Sequence, residues 1–179
     1  MPLAPDYYSA DRVRALPDDG NRYELVYGEL LVSPSPTYRH QEIILRLARW
    51  IADHCDAVVG LKTVISPADL SWGDDTLVQP DVFVARVPAG GAHGWADLRA
   101  VVLVAEVLSP STARNDRFQK RRLYQAQGVE TIWLIDIERR VVECWGAESS
   151  FPVVVSEYLV WTPEVDVEPL TISVHTLFA

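Results

Sequence analysis

No stretch of this chain approaches the ~18 consecutive apolar residues of a membrane-spanning helix, so no membrane segment is expected. The opening residues, MPLAPDYYSADR, lack the basic-then-apolar order of a secretory leader, and a cytoplasmic location is expected. Cysteine is scarce. Cys55 and Cys144 are the only two; they have no metal-ligand spacing and read as reduced thiols. Basic residues are outnumbered, with 16 Lys and Arg against 25 Asp and Glu and a net charge of −9. That balance argues against a non-specific nucleic-acid coat but not against a local basic site. Repeats, low-complexity tracts and linkers are also missing, so residues 1–179 read as one domain.

What is present is an ordinary globular composition, 49% hydrophobic and 23% charged, organised around residues 101–136. VVLVAEVL is an apolar run of strand length, SPSTARNDRFQKRRLYQAQGVE carries a cap and a helical pattern, and TIWLID is a second strand. Both parities of the first strand are apolar, which marks a central strand covered on two faces. Val102, Val104 and Leu108 fall on the side of Glu106. An ionised glutamate there costs several kcal/mol unless a cation or several donors compensate it. At 100° per residue the helix turns Lys120 inward, with Asp116 one turn before and Tyr124 one turn after. Lys120 is either a snorkelling lysine paired with Asp116 or the group that meets Glu106.

Around this unit, residues 9–16 read as a short helix capped by Ser9 and stopped by Pro17. YELVY and LLVS flank Gly28-Glu29 as a β-hairpin. Glu24 and Glu29 read as exposed hairpin carboxylates, either of which could instead reach a site from the sheet end. Residues 38–53 carry a helical apolar stripe of Ile43, Ile44, Leu47, Ala48 and Ile51, which His40 continues one turn earlier. LKTVISPADL and TLVQPDVFVAR read as two strands. Pro80 marks an edge, strand start or bulge in the second, where a bulge could re-aim Asp81. The tail after 137 reads as all-β. Five basic residues, Arg114, Arg117, Lys120, Arg121 and Arg122, fall within 114–122, and Arg114, Arg117 and Arg121 are candidate nucleic-acid contacts.

Two carboxylates on adjacent strands, Asp81 and Glu106, and an inward Lys120 suit Mg²⁺-dependent phosphodiester hydrolysis. Hard oxygens hold Mg²⁺, which keeps several waters. The ion activates a water and offsets phosphate charge, and the lysine orients that water or neutralises developing charge. With YELVYGEL, the segment around His40, QPDVFVAR, VAEVLSPST, DRFQKRRLY and GVETIWLID, the chain resembles the Uma-type restriction endonucleases, a branch of the PD-(D/E)xK nuclease superfamily. The resemblance covers residues 23–145. It implies an α/β (α+β) restriction-endonuclease-like fold, a mixed sheet flanked by helices. The implied α-β-β-β-α-β core has helix 38–53, strands 61–69, 76–86 and 101–108, helix 112–127 and strand 131–137. An N-terminal hairpin and a β-rich tail flank it.

The same resemblance implies a Mg²⁺ (or Mn²⁺) site in which Asp81 and Glu106 bind metal and Lys120 assists the water. The superfamily's usual lysine position, two residues after the glutamate, is Leu108 here, so Lys120 is a migrated lysine. His40, Glu24 and Glu29 match recurrent family positions as accessory residues. DNA is the expected substrate, and a homodimer through the exposed tail the expected assembly. A catalytically inert nuclease-fold binding or assembly protein is the alternative. A third reading, a glycoside hydrolase with Asp81 and Glu106 as its carboxylate pair and Trp50, Trp72 and Trp95 lining the cleft, is opposed by the inward lysine.

Overall fold

The computed structural model describes residues 7–179; residues 1–6, where the reading for a leader begins, lie outside the described residues. Ser9 caps α1 (Ala10–Arg14), its side chain accepting from the Arg12 amide at 3.3 Å. β1 (Arg22–Val26) and β2 (Glu29–Ser33) form the expected hairpin. Its turn is Tyr27–Gly28 rather than Gly28–Glu29, because Glu29 pairs with Val26 as the first residue of β2. Tyr27 and Gly28 have φ of 50° and 80°, the left-handed pair that matches the twist of a two-residue hairpin. α2 (Tyr38–Cys55) follows, with Thr37 as its cap.

The two strands expected at 61–69 and 76–86 are each divided. β3 (Leu61–Ile65) and β4 (Leu70–Gly73) are separated by Ser66–Asp69, and β5 (Thr76–Val78) and β6 (Val82–Arg86) by Gln79–Asp81. β3 pairs with β6, and β4 with β5. The hairpin therefore forks, its closed end in one sheet and its open end in another. Each fork holds a proline, Pro67 or Pro80, which has no amide to donate to a ladder. β5 also pairs with β1, giving a four-stranded sheet of order β2-β1-β5-β4.

β7 (Val101–Leu108) is buried at all eight positions. After a single 3-10 turn (Trp95–Leu98) and this strand, a continuous helical stretch is built from α3 (Ala113–Asn115), a π-turn (Asp116–Lys120) and α4 (Arg121–Ala126). β8 (Thr131–Asp136) runs parallel to β7, as a strand–helix–strand unit requires. β9 (Val141–Gly146) and β10 (Val153–Val155) complete a six-stranded mixed sheet of order β10-β9-β8-β7-β6-β3. A register shift between Val84 and Ala85 alters the parity expected in β7. Val101, not Val102, joins Val104 and Leu108 on the face covered by the 113–126 helix, while Val102 packs on the α2 face.

The tail is not all-β. β11 (Tyr158–Trp161) pairs with β12 (Leu170–Ser173), and Ser173 then caps a short helix, α5 (Val174–Leu177). Leu177 and Phe178 join Ile43, Leu47 and Ile51 in one core. The guanidinium of Arg46 donates to the carbonyls of Thr176 and Leu177 at 3.3 and 3.2 Å, so α2 anchors the tail by both apolar and polar contacts. Among the described residues no helix is long and apolar enough to cross a membrane.

Gly28 is the position where conformation and space both demand glycine. A Cβ there would stand 2.2 Å from Cε2 of Tyr7, and the left-handed backbone alone costs a non-glycine residue about 1–2 kcal/mol. Gly28→Ala is expected to lower unfolding stability by at least that amount in a urea titration. Gly20→Ala shares the positive φ but has open space around its Cβ, and should lose only the backbone part.

Candidate active site

The fork places Asp81. Val82 lies opposite Ala105 in the β6–β7 ladder, so Asp81, just before β6, enters level with Glu106. The Asp81 carbonyl accepts from the Ser66 amide at 3.2 Å, and its carboxylate Oδ2 from the Val107 amide at 2.9 Å. Backbone amides from two neighbouring segments thus hold one aspartate. Oδ1 accepts from Nη1 of Arg22 on β1 at 3.0 Å, and Nε2 of His40 on α2 lies 3.2 Å from Oδ2.

Glu106 is met by the helix. Nζ of Lys120 lies 2.7 Å from Glu106 Oε1, 2.8 Å from Glu24 Oε1 and 3.5 Å from Asp116 Oδ1. The Tyr124 hydroxyl donates to the same Glu106 oxygen. Both readings of Lys120 hold at once: it pairs with Asp116 and it compensates Glu106. Lys120, Glu106 and Asp81 are each 2% exposed and Glu24 4%. Glu24 also accepts from the Gln79 amide at 2.8 Å, which ties the hairpin to the fork beside Pro80.

The π-turn adds what a regular 100° wheel omits. The Arg121 amide bonds to the Asp116 carbonyl, five residues back, and Nε of Arg121 donates to the Arg117 carbonyl at 2.9 Å. A π-turn widens the helix locally and is frequent at functional sites. Here it spans the two buried charges, Asp116 and Lys120.

The structure therefore brings Asp81, Glu106, Lys120, His40 and Glu24 together. Of the two readings open for Glu24, it is the one that reaches the cluster from the hairpin, not the exposed one, that the geometry matches. Glu29 is exposed and outside the cluster. Of the three arginines expected at nucleic acid, Arg114 is exposed. Arg117 is held by Asp136 at 2.6 Å and Glu143 at 2.9 Å, and Arg121 lies over the Trp145 ring at 4.1 Å. Arg22 was missed by the sequence reading; its signal was the shared parity with Glu24 in β1, which puts both on one face. The three tryptophans do not line one cleft: Trp50 borders a cavity with His54 and Ile172, Trp72 and Trp95 another with Asp69 and Arg99.

Carboxylates outnumber fixed cations within the cluster: Glu24, Asp81, Glu106 and Asp116 face Arg22 and Lys120. Burial opposes ionisation of Asp81, but the His40 hydrogen bond and the nearby charges of His40, Arg22 and Lys120 win and hold it below its ordinary value. Burial dominates at Glu106. Lys120 opposes it, but Asp116, Asp81 and Glu24 add to it, and the carboxyl is pushed up to about 8. Burial also raises Asp116. Lys120 is desolvated, yet Glu106 and Glu24 keep it protonated well above its usual range. Among the described residues no three His, Cys, Asp or Glu side chains are arranged as a complete metal cage.

A cavity of about 210 Å³ adjoins the cluster, between the loops around Ser35 and Ser111, with Arg22 and His40 in its wall. A larger cavity, about 490 Å³ beside Trp50, lies elsewhere. It carries none of this chemistry.

The Uma2 family, described as "Putative restriction endonuclease", matches residues 10–174. No curated protein matches the chain. Among solved structures, the chain is similar to one from Anabaena variabilis ATCC 29413 described as "a putative nuclease belonging to DUF820". Identity is 19%, the TM-score is 0.76, and the match covers 95% of this chain and 97% of that one. At that identity the likeness shows the fold, the restriction-endonuclease-like α+β arrangement with its mixed sheet and flanking helices.

Two predictions follow from the charges. Folded Glu106 keeps a proton to about pH 8 against an ordinary value of 4.5. The folded state therefore binds more protons between these values, and its stability falls as pH rises through about 8. Melting temperature in EDTA should decline across this window, and Glu106→Gln should flatten the decline; an unchanged slope would show that Glu106 is not its source. Arg117→Ala leaves Asp136 and Glu143 short of a partner at the sheet end. Discounted for partial exposure, this should cost about 2 kcal/mol in a denaturant titration.

Proposed function

The chain belongs to the Uma2 family, and we propose that it is a Mg²⁺- or Mn²⁺-dependent endonuclease hydrolysing DNA phosphodiester bonds. Asp81 and Glu106 are the metal carboxylates and Lys120 the residue at the attacking water. The observation that carries this reading is the buried lysine 2.7 Å from Glu106 inside a cluster of four carboxylates. A divalent cation would favour the ionised form of Glu106 over the protonated one.

The donor set fits such an ion. A carboxylate offers about four lone-pair sites. Asp81 uses three of them on Arg22, His40 and the Val107 amide. Lys120 and Tyr124 both contact Oε1 of Glu106. Two carboxylates suffice for Mg²⁺, which completes its shell with water and substrate phosphate. When bound, the metal supplies a water of lowered pKa and charge to offset the phosphate.

The protein's own residues do the rest. Arg22, His40 and the Val107 amide keep Asp81 ionised and fixed. Tyr124 orients Glu106 while Glu24 and Asp116 share the lysine's field. Lys120 stays protonated, so it acts as a donor to the attacking water and a counter-charge to the transition state rather than as a base. Arg22, in the wall of the adjoining cavity, is the cation proposed to meet phosphate.

We extend the proposal to the cytoplasm, where the free Cys55 and Cys144 suit reducing conditions. A second copy of the chain is the proposed partner, at edge strand β10 with its exposed Val153 and Val154. One observation favours the alternative of an inert scaffold: Lys120 has three carboxylate neighbours within 3.5 Å, enough to give it a purely compensating role.

Lys120→Met and Asp81→Asn decide between these readings. For an enzyme, Lys120→Met retains the fold and metal binding, and cleavage of supercoiled plasmid with Mn²⁺ falls by roughly two orders of magnitude or more. Asp81→Asn weakens metal affinity in calorimetry. For a scaffold, Lys120→Met strands Glu106, costs about 3–5 kcal/mol of stability and shows no selective effect on rate. Wild-type protein that binds metal and cuts neither DNA nor RNA would sink the nuclease reading.

A further inference from the structure

The cavity of about 210 Å³ beside the carboxylate cluster has a wall unlike the rest of this acidic chain. Ser33, Ser35 and Thr37 line one side and Ser109, Ser111 and Thr112 the other, with Arg22 on the wall shared with the cluster. Among the described residues that lining holds no Asp, Glu, Asn, Gln or Lys, although the chain has 25 Asp and Glu against 16 Lys and Arg. Thr37 is also the cap of α2, an 18-residue helix without an acid in its first turn. No side chain of that turn therefore offsets the partial positive charge of the helix start. Arg22 holds Asp81 and the Gln79 carbonyl through Nη1, at 3.0 and 3.3 Å. A guanidinium carries five N–H donors on three nitrogens, so Arg22 has donors beyond those that fix Asp81.

We propose that this cavity is a phosphate seat, which takes one backbone phosphate adjoining the scissile one and grips it without reading sequence. This rests on the nuclease reading of the cluster. A phosphate is an anion that only accepts hydrogen bonds, and the wall offers what it needs: hydroxyls that rotate to donate, a guanidinium and a helix start, with no competing carboxylate. Size decides which part of a strand enters. The volume is below the ~300–1,000 Å³ of small-ligand sites, enough for a phosphate group while sugar and base stay outside. Asn, Gln, Asp, Glu and Lys, which read base edges, are missing from the lining, and its one arginine is fixed by Asp81. The contact therefore positions the strand and carries no base preference. Arg22 bonds Asp81 and borders the cavity, so a seated phosphate is held in register with the metal carboxylate.

The test is fluorescence anisotropy in EDTA, where no cleavage occurs, with labelled oligodeoxyadenylate and oligodeoxythymidylate of equal length and inorganic phosphate as competitor. Wild-type protein should bind the two strands within about twofold of each other, and phosphate should displace both where chloride at equal ionic strength does not. Ser35→Asp and Ser111→Asp place a carboxylate in the two facing walls, and each should weaken both strands by roughly fivefold or more. Ser111→Ala should fall between wild type and Ser111→Asp. Both serines are exposed, so melting temperatures without phosphate should not fall. Wild-type affinity in both aspartate variants, or a preference of roughly tenfold for one strand, would overturn the seat. So would strands that phosphate cannot displace; a melting temperature raised by phosphate in that case gives the cavity to the free anion. Plasmid cleavage with Mn²⁺ separates this claim from the one it rests on. Ser111→Asp should raise KM and leave kcat near wild type. An unchanged KM removes the seat and keeps the nuclease, whereas strand binding lost in Ser111→Asp, with no cutting by wild type, does the reverse.

Discussion

Everything around the candidate site depends on one buried contact, the Lys120 ammonium against Glu106 and Glu24. Only two of the 16 basic residues are lysines, and this one is fully buried. A desolvated ammonium and several desolvated carboxylates are each costly, so the cluster persists only because they lie within bonding distance of one another. The geometry follows from that requirement. β7 carries Glu106 into the interior, the hairpin brings Glu24 from a different sheet, and the helix must present Lys120 between them. Burial first, and the neighbouring Asp116, Asp81 and Glu24 after it, still raise the proton affinity of Glu106.

Asp81 shows how backbone chemistry creates such a site. Pro80 cannot continue a ladder, so the chain leaves the small sheet after Val78 and enters the large one at Val82. The aspartate sits in the gap, where a strand position would have committed its amide and turned its side chain across the pleat. Instead the carboxylate reaches the Val107 amide, and Arg22 and His40 close on it from β1 and α2. The residues meeting here lie 22, 40, 81 and 106 places along the chain, and the fork is what unites them.

The two sides of the 113–126 helix divide the work. Its inner side buries Asp116, Lys120, Leu123 and Tyr124. Its outer side carries arginines whose clustering in the sequence suggested a phosphate surface. Arg117 and Arg121 are instead committed to Asp136, Glu143, Trp145 and the helix's own backbone. They lock the π-turn to the sheet end and so hold Lys120 in register. Of the arginines on this helix, Arg114 near its start and Arg122 in its last turns remain exposed.

By itself the sequence determined the elements whose signals are local. Capping at Ser9, the 3.6-residue stripe of α2, the two-sided apolarity of β7 and the inward phase of Lys120 all rest on periodicity, which a chain carries in one dimension. The anomaly of Glu106 was legible for the same reason, since a lone acid in an apolar strand demands a partner. Tertiary structure alone decided the partners. Arg22 is an ordinary strand arginine until β5 pairs with β1, and Glu24 reads as a solvated hairpin acid until the fork folds it over Lys120. The split of each long strand, the register shift that moves Val101 and the π-turn depend on which segments pair across tens of residues. Pairing of that kind is set by the packing of whole faces rather than by neighbours in the chain.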